Sequence, residues 1–496
     1  MIHSNKFTTA ITNAAHGTNN GFIGRLLPRC RGLSKQHRHQ IHFSTATISQ
    51  QQMKKKKLDF TKPTIDYVVV GAGSAGCVVT SRLVEHGCTV HLIEAGQSDR
   101  IQDSPLNLLL HMPTALAMPM HFEKYNWKYI AEPEPNLNGR IIHCPRGKGL
   151  GGSSSINGMV YVRGHKLDFD YWESKYGASG WNYENVLPYF KRAENWGGYN
   201  SDDDTVETDY RGKHGPLHVK FGNNACNTPL FDAFVNAGID AGYGYTSDYN
   251  ASKQEGFGSK AMTVYHSGSN QGKRCSTASS YLHPTLARYP NLLNVETNAY
   301  IQRIIWDFEL SVGNNDQNKT IEKTSPPRAV GIEYKDKSGV LQRVPVNKEV
   351  IICAGAIESP HILQVSGIGD PNHLQRVFSN SGDSAERNVV VANRNVGLNL
   401  QDHLELYFQQ EVSKPVSMTP IVQSYLRKLL VGIEWIFWNR NTGLGSTNHF
   451  ESAAFVRSSS KQPYPDVQFH FLPVAVSYDG QSITPSNSGH SMQVST

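Results

Sequence analysis

The 496-residue sequence has no metal-binding or disulfide framework. Its seven cysteines (Cys30, Cys77, Cys88, Cys144, Cys226, Cys275 and Cys353) include no CxxC pair, which excludes a zinc ribbon or a disulfide-dense scaffold and points to a reducing compartment. HExxH and acidic Ca²⁺ loops are missing too, so no metal site is expected. The absence of a GxSxG elbow argues against an α/β hydrolase. No run of 18 apolar residues occurs, which excludes a membrane-spanning helix. The most apolar stretch, Leu429 to Trp438, is short and contains Glu434, as in a buried or amphipathic helix.

Acidic residues are absent before Asp59, whereas residues 1–57 hold ten Lys and Arg. The rest of the chain carries 38 basic side chains against 42 acidic ones, so the basic total of +6 for the whole sequence comes from the leader and does not indicate nucleic acid. This Ser/Thr/Asn/His-rich segment, with Arg25, Arg29, Arg31 and Arg38 and no long apolar core, has transit-peptide composition. It predicts mitochondrial import. Residues 1–57 are therefore read as leader and basic linker, and the remainder is long enough for two domains.

Ile65–Val70 (IDYVVV) reads as a strand buried on both faces of a parallel sheet. It runs into Gly71-Ala72-Gly73-Ser74-Ala75-Gly76, then a helical segment to about His86, Gly87 as C′ residue, and a second strand, Thr89–Ile93, ending at Glu94. Gly71 permits the tight turn, Gly73 the approach of a pyrophosphate, and Gly76 close helix–strand packing. The helix N-terminus, from Ser74 and Ala75, offers amides to the anion. Glu94, 18 residues past Gly76, is placed for an adenosine ribose. The unit fits either NAD or FAD. A second glycine-rich stretch, Arg146–Gly164, contains apolar Leu150, Ile156, Met159, Val160 and Tyr161, which suits a backbone held against a flat ligand better than a surface loop. A third, Glu349–Gly369, repeats strand, small-residue turn and helix, with Ser359 and Pro360 as expected N-cap and N1.

Arg146–Gly164 resembles the first signature of the glucose–methanol–choline (GMC) oxidoreductases, and Gly355–Gly369 resembles the second. With Asp66–Gly96 and Asn395–His403, the resemblance covers residues 64–496; Thr447–Phe455 and Pro463–Val474 are most similar to choline dehydrogenases. It implies an α/β fold: a doubly wound FAD-binding domain (mainly 58–375, with an insert about 165–260) and an interleaved substrate domain on an antiparallel sheet (mainly 376–496, incomplete). It also implies oxidation of a primary alcohol by hydride transfer to flavin, with choline, giving betaine aldehyde, as the expected substrate. Another alcohol or sugar, or a non-catalytic flavin-binding fragment, are the alternatives.

By the same resemblance, Gly71, Gly73, Gly76 and Glu94 would hold the ADP half of FAD. Leu150, Gly151, Gly152, Ser153, Asn157, Gly158, Met159 and Val160 would line the flavin and diphosphate, and the backbone of Ile301 would meet the adenine. Ile156 stands where some family members carry the His that links flavin covalently, so FAD is expected to be non-covalent. A quinone-type electron acceptor, the matrix side of the mitochondrial inner membrane and peripheral membrane association are implied as well. A quaternary ammonium asks for aromatic faces and a carboxylate, which makes Glu451, beside Phe450, the candidate substrate-binding residue; His449 and His470 read as structural. The family's proton-accepting His and its partner lie in segments past Ser495-Thr496. No catalytic residue is assigned, and a shortened chain is the expectation.

Overall fold

Ile65–Val70 is a central strand of a six-stranded sheet, because its side chains alternate between two apolar layers and none of its last three residues is more than 2% exposed. The computed structural model describes residues 65–116, 118–198, 207–308, 326–380, 388–476 and 491–495; the leader expectation lies outside them. The strand order is Tyr300–Trp306, Ala329–Lys335, Leu341–Ile352, Ile65–Val70, Val90–Ile93 and Leu293–Glu296. The last four pair in parallel, and the first three form antiparallel ladders. Val69 and Leu92 pack with Cys77 and Val84 of helix Ser74–Glu85 on one face. On the other, Val68, Val70 and Ile93 meet Ile332 and Ile362. Burying each aliphatic side chain stabilises by about 1.5–3 kcal/mol, so these layers fix the strand's register and its C-terminal end, where the glycine turn begins.

Helix Ser74–Glu85 ends as its sequence predicts. The Gly87 N–H bonds to Val84 O and the Cys88 N–H to Leu83 O, with Gly87 left-handed at φ +81°. The third segment differs from expectation: its helix spans Gly355–Val365, with Pro360 inside it and Ala354, not Ser359, at the cap. Gly355, at φ +81°, lets the chain turn out of the strand ending at Ile352 without delay. Pro360 then forgoes one main-chain hydrogen bond.

A second, antiparallel sheet has the order Tyr407–Glu411, Ser491–Ser495, Val467–Leu472, Ser452–Val456 and Gly256–Ser259. Its edge strand comes from 256–259, so the division near residue 375 is crossed by the sheet itself. Leu58–Thr496 accordingly forms one compact unit. Helix Leu230–Asp240 covers one face, where Phe234 and Val235 pack on Phe257, Ala454 and Val456. On the opposite face Ala453 and Phe455 pack with Tyr249 and with Val162 of the second glycine-rich stretch. That second face is the one turned toward the second glycine-rich stretch.

Helix Tyr425–Phe437 is amphipathic: Trp435 is 1% exposed among Met112, Ala115, Val431 and Ile436, while Leu426, Leu429 and Leu430 lie on the surface. No helix among the described residues is long and apolar enough to cross a membrane.

Candidate functional site

The first two glycine-rich segments meet at the C-terminal end of the parallel strands, where Glu94 ties them together, and Cys353 of the third lies against Gly71. Its Oε2 accepts the Ala72 N–H at 2.8 Å; its Oε1 accepts those of Gly96 at 2.8 Å and Gly149 at 3.0 Å. These backbone donors favour the carboxylate, but complete burial is the larger influence and raises its pKa above the usual range. Sequence reasoning gave Glu94 a ribose to bind; the structure adds that the same carboxylate joins the first turn, the end of the second strand and the second glycine-rich stretch. A carboxylate has about four acceptor sites, so three backbone bonds leave one for a ligand hydroxyl.

Packing separates the roles of the glycines. A Cβ on Gly71 would lie 2.6 Å from Cys353 O, and one on Gly76 only 1.8 Å from Gly71 O, so the protein itself demands glycine at both. Gly73 differs: its Cβ would meet nothing nearer than Cys353 O at 3.9 Å. The open space lies at the N-cap of helix Ser74–Glu85, where no side chain caps the helix, no acidic residue occupies the first turn, and Ser74 and Ala75 are exposed. Free amides, a positive helix end and room above a glycine fit a diphosphate. Gly152 closes the cradle from the other side, since its Cβ would fall 2.7 Å from Gly73 Cα, and Gly151 donates to Ala72 O at 2.8 Å. Leu150 donates to Gln97 O, and Ser153 is exposed at the rim.

Ile301 lies three residues beyond Asn298, where Asn298 and Ala299 donate to Gly96 O and Glu94 O. This brings the start of strand Tyr300–Trp306 to the same corner. Ile156 is 4% exposed, packed with Leu110 and Tyr125, and has no atom able to form a covalent flavin link.

Further along, two left-handed turns lock together. Met159, fully buried at φ +58°, has its N–H held by Asn157 Oδ1 at 3.0 Å; His449, at φ +59°, has its N–H held by Thr447 Oγ1 at 3.1 Å. Non-glycine residues held in this region indicate a constrained site. Asn448 Nδ2 donates to Gly158 O at 2.7 Å, and a Cβ on Gly158 would lie 3.8 Å from the Phe450 ring. Val160 continues this path through a bridge to Met262. Arg274, 1% exposed, supports the stretch by donating from Nη1 to Asn157 O at 2.6 Å and Oδ1 at 2.9 Å, while its Nε and Nη2 have no hydrogen-bond partner among the described residues. Its place directly below a glycine-rich segment was not read from the sequence, where it is one arginine among many.

The segment 447–451 also places Glu451. The carboxylate accepts the Asn224 N–H at 2.7 Å and the Thr447 hydroxyl at 2.5 Å, and burial raises its pKa despite these bonds and the nearby Lys220. The chain's own donors thus engage both oxygens, while the Phe450 ring lies closer to the glycine-rich stretch. His449 pairs through Nε2 with Thr114 Oγ1 at 2.9 Å, and burial lowers its pKa to about 4. His470 lies on the sheet face turned toward Val162, in contact with Lys260 Nζ; burial, then Lys260 and His403, lower its pKa to about 3. Lys260 was missed in the sequence because a single lysine next to a strand is ordinarily a surface residue.

Solved structures share this architecture. Formate oxidase matches with a TM-score of 0.71 at 22% identity, covering 87% of this chain and 72% of that one. Pyridoxine 4-oxidase from Mesorbium loti matches with 0.64 at 25% identity, covering 87% and 70%. Among sequences, proteins named oxygen-dependent choline dehydrogenase are 45% identical over 430 residues in Vibrio vulnificus and 43% over 425 residues in Brucella suis. These alignments cover 86% and 85% of this chain and 67% of each relative, so the chain spans about two thirds of their length. The mitochondrial inner-membrane location expected from the leader is corrected by these relatives, which are bacterial proteins, from Vibrio, Brucella and Rhizobium species. The basic, acid-free leader misled because composition alone does not specify an address. A family model described as GMC oxidoreductase matches residues 65–405, and the chain belongs to that family.

Proposed function

We propose that the protein binds FAD non-covalently and oxidises a primary alcohol, with choline as substrate and betaine aldehyde as product. The observation that supports this reading best is the 45% identity, over 86% of the chain, to a protein named for choline dehydrogenation, together with a cradle whose open position is Gly73. FAD, when bound, supplies the hydride acceptor. The protein's own groups would do the rest: the amides at Ser74 and Ala75 meet the diphosphate, Glu94 holds the turns and accepts a ribose hydroxyl, and Ile301 borders the adenine. Residues Leu150 to Val160 line the flavin. Phe450 provides an aromatic face for the substrate, and Glu451 a negative charge behind it.

The relatives' name specifies oxygen, whereas the family resemblance suggests a quinone-type acceptor; reoxidation of the reduced protein by each decides between them. Peripheral membrane association is part of the proposal through the exposed leucines of helix Tyr425–Phe437, flanked by Arg427 and Lys428. A second reading, an uncharged alcohol as substrate, is favoured by the engagement of Glu451 with Asn224 and Thr447.

The test is anaerobic mixing of FAD-loaded protein with choline. Bleaching of the oxidised flavin band, with betaine aldehyde formed, is the expected result; a flavin that responds to uncharged alcohols but not to choline establishes the second reading, and one neither perturbed nor reduced by either rejects the alcohol site.

A further inference from the structure

Lys260 is 0% exposed, yet no carboxylate forms an ion pair with it among the described residues; Glu405 offers only attraction at longer range. The residue sits between strand Gly256–Ser259 and Ala261, and its N–H bonds to Glu451 O at 2.9 Å, so it extends the pairing of the edge strand alongside Glu451. Its side chain lies on the face of the sheet turned toward the second glycine-rich stretch: Nζ contacts Nδ1 of His470, which is paired with Ala453, and Ala453 packs on that face with Val162. Nζ also lies 5.2 Å from the centroid of the Phe450 ring. A lysine therefore occupies the aromatic surface that a trimethylammonium group would use, and the next residue, Ala261, accepts the Tyr161 N–H of the stretch expected to hold the flavin.

We propose that Lys260 sets the charge selectivity of the substrate site: a cationic alcohol is accommodated only against the uncharged amine, and a neutral alcohol of the same shape is accommodated in either state. The inference rests on the substrate site proposed above and deepens it. The physical reason is like-charge repulsion at close range in a desolvated cleft, which an uncharged isostere escapes. Burial disfavours the ammonium and lowers the lysine pKa well below its ordinary value, with Glu405 opposing. The other groups facing the pair are His470 and, acting on it, His403. Glu451 adjoins through its carbonyl, and its carboxylate lies near Lys220. Because the pKa of Glu451 is raised, its protonation also weakens cation binding as pH falls, so the two contributions must be separated.

The experiment titrates the FAD-loaded full chain with choline and with its uncharged tert-butyl isostere, reading Kd from the perturbation of flavin absorbance at an alkaline pH and at the lowest pH at which the fold is retained, because burial moves the lysine titration downward. In the wild type, the preference for choline over the isostere should fall by about tenfold or more at the lower pH, a factor that corresponds to the loss of one charge-dependent contact. Lys260→Met should bind choline more tightly at the lower pH and flatten this dependence, leaving only the part due to Glu451. Lys260→Arg, which stays charged, should weaken choline at both pH values while leaving the isostere unchanged. An unchanged ratio in Lys260→Met and Lys260→Arg, with the flavin spectrum intact, overturns the role of Lys260 but leaves alcohol oxidation standing. If neither alcohol perturbs or reduces the flavin in any of the three proteins, both proposals fall.

Discussion

Glu94 carries more at the residue scale than its position suggested, since one carboxylate serves three backbone N–H groups from different segments. Glu94→Gln turns one acceptor oxygen into a donor against a donor. Loss of about 1–3 kcal/mol in urea unfolding, with weaker FAD binding, is the expected result; unchanged stability would mean that the turns hold without it. Glu451→Gln is expected to weaken choline more than its uncharged isostere, because only a cation loses a Coulomb attraction; equal loss, measured by the same flavin titration, would make Glu451 a structural group for Asn224 and Thr447. The sequence revealed the glycines and the acid because their spacing is short-range and tied to one strand–turn–helix unit. It did not reveal Lys260 or Arg274, whose meaning depends on contacts with His470 and Phe450, or with Asn157, far away along the chain.

Between elements, the first and second glycine-rich turns touch at Gly73 and Gly152, and substitutions on the two sides should behave differently. Gly152→Ala adds a Cβ 2.7 Å from Gly73 Cα at φ +52°, so both thermal stability and FAD binding should fall. Gly73→Ala meets no protein atom nearer than 3.9 Å; it should leave the melting temperature of the FAD-free protein unchanged while weakening FAD, and Gly73→Val should abolish binding. A calorimetric scan with a flavin-binding isotherm distinguishes the two. Equal destabilisation by Gly73→Ala and Gly152→Ala would refute the ligand-facing role of Gly73. The parallel βαβ unit was legible as far as the hydrogen bonds that end its helix at Gly87 and Cys88. The helix around Pro360 was not. Proline is normally read as a helix start, and here the left-handed Gly355 allowed the helix to begin earlier.

Across the whole molecule, the antiparallel sheet draws its edge strand from 256–259 and its other strands from beyond residue 400. Such long-range pairing follows no local pattern, which is why no motif in the sequence marks residues 256–259 as part of this sheet. The same tertiary burial leaves His449 and His470 neutral, with pKa values of about 4 and about 3. Their folded values lie below the unfolded value near 6.5, so the unfolded chain takes up protons first. Stability contributed by the neutral forms is fully present above about pH 6.5 and is lost as pH falls toward the folded values, at up to about 1.4 kcal/mol per pH unit for each histidine. Urea midpoints measured downward from pH 7 should fall accordingly; Thr114→Val would leave His449 unbonded on Nε2 and lower stability at neutral pH.

Non-covalent binding of FAD by the converging glycine segments is the claim on which the functional account depends. Purified protein loaded with FAD should show the flavin absorption bands, and denaturation followed by ultrafiltration should release the yellow flavin into the filtrate, because Ile156 offers no bonding atom. Colour retained with the precipitated protein would contradict the dissociable cofactor, and a protein that takes up no flavin would contradict the cradle itself.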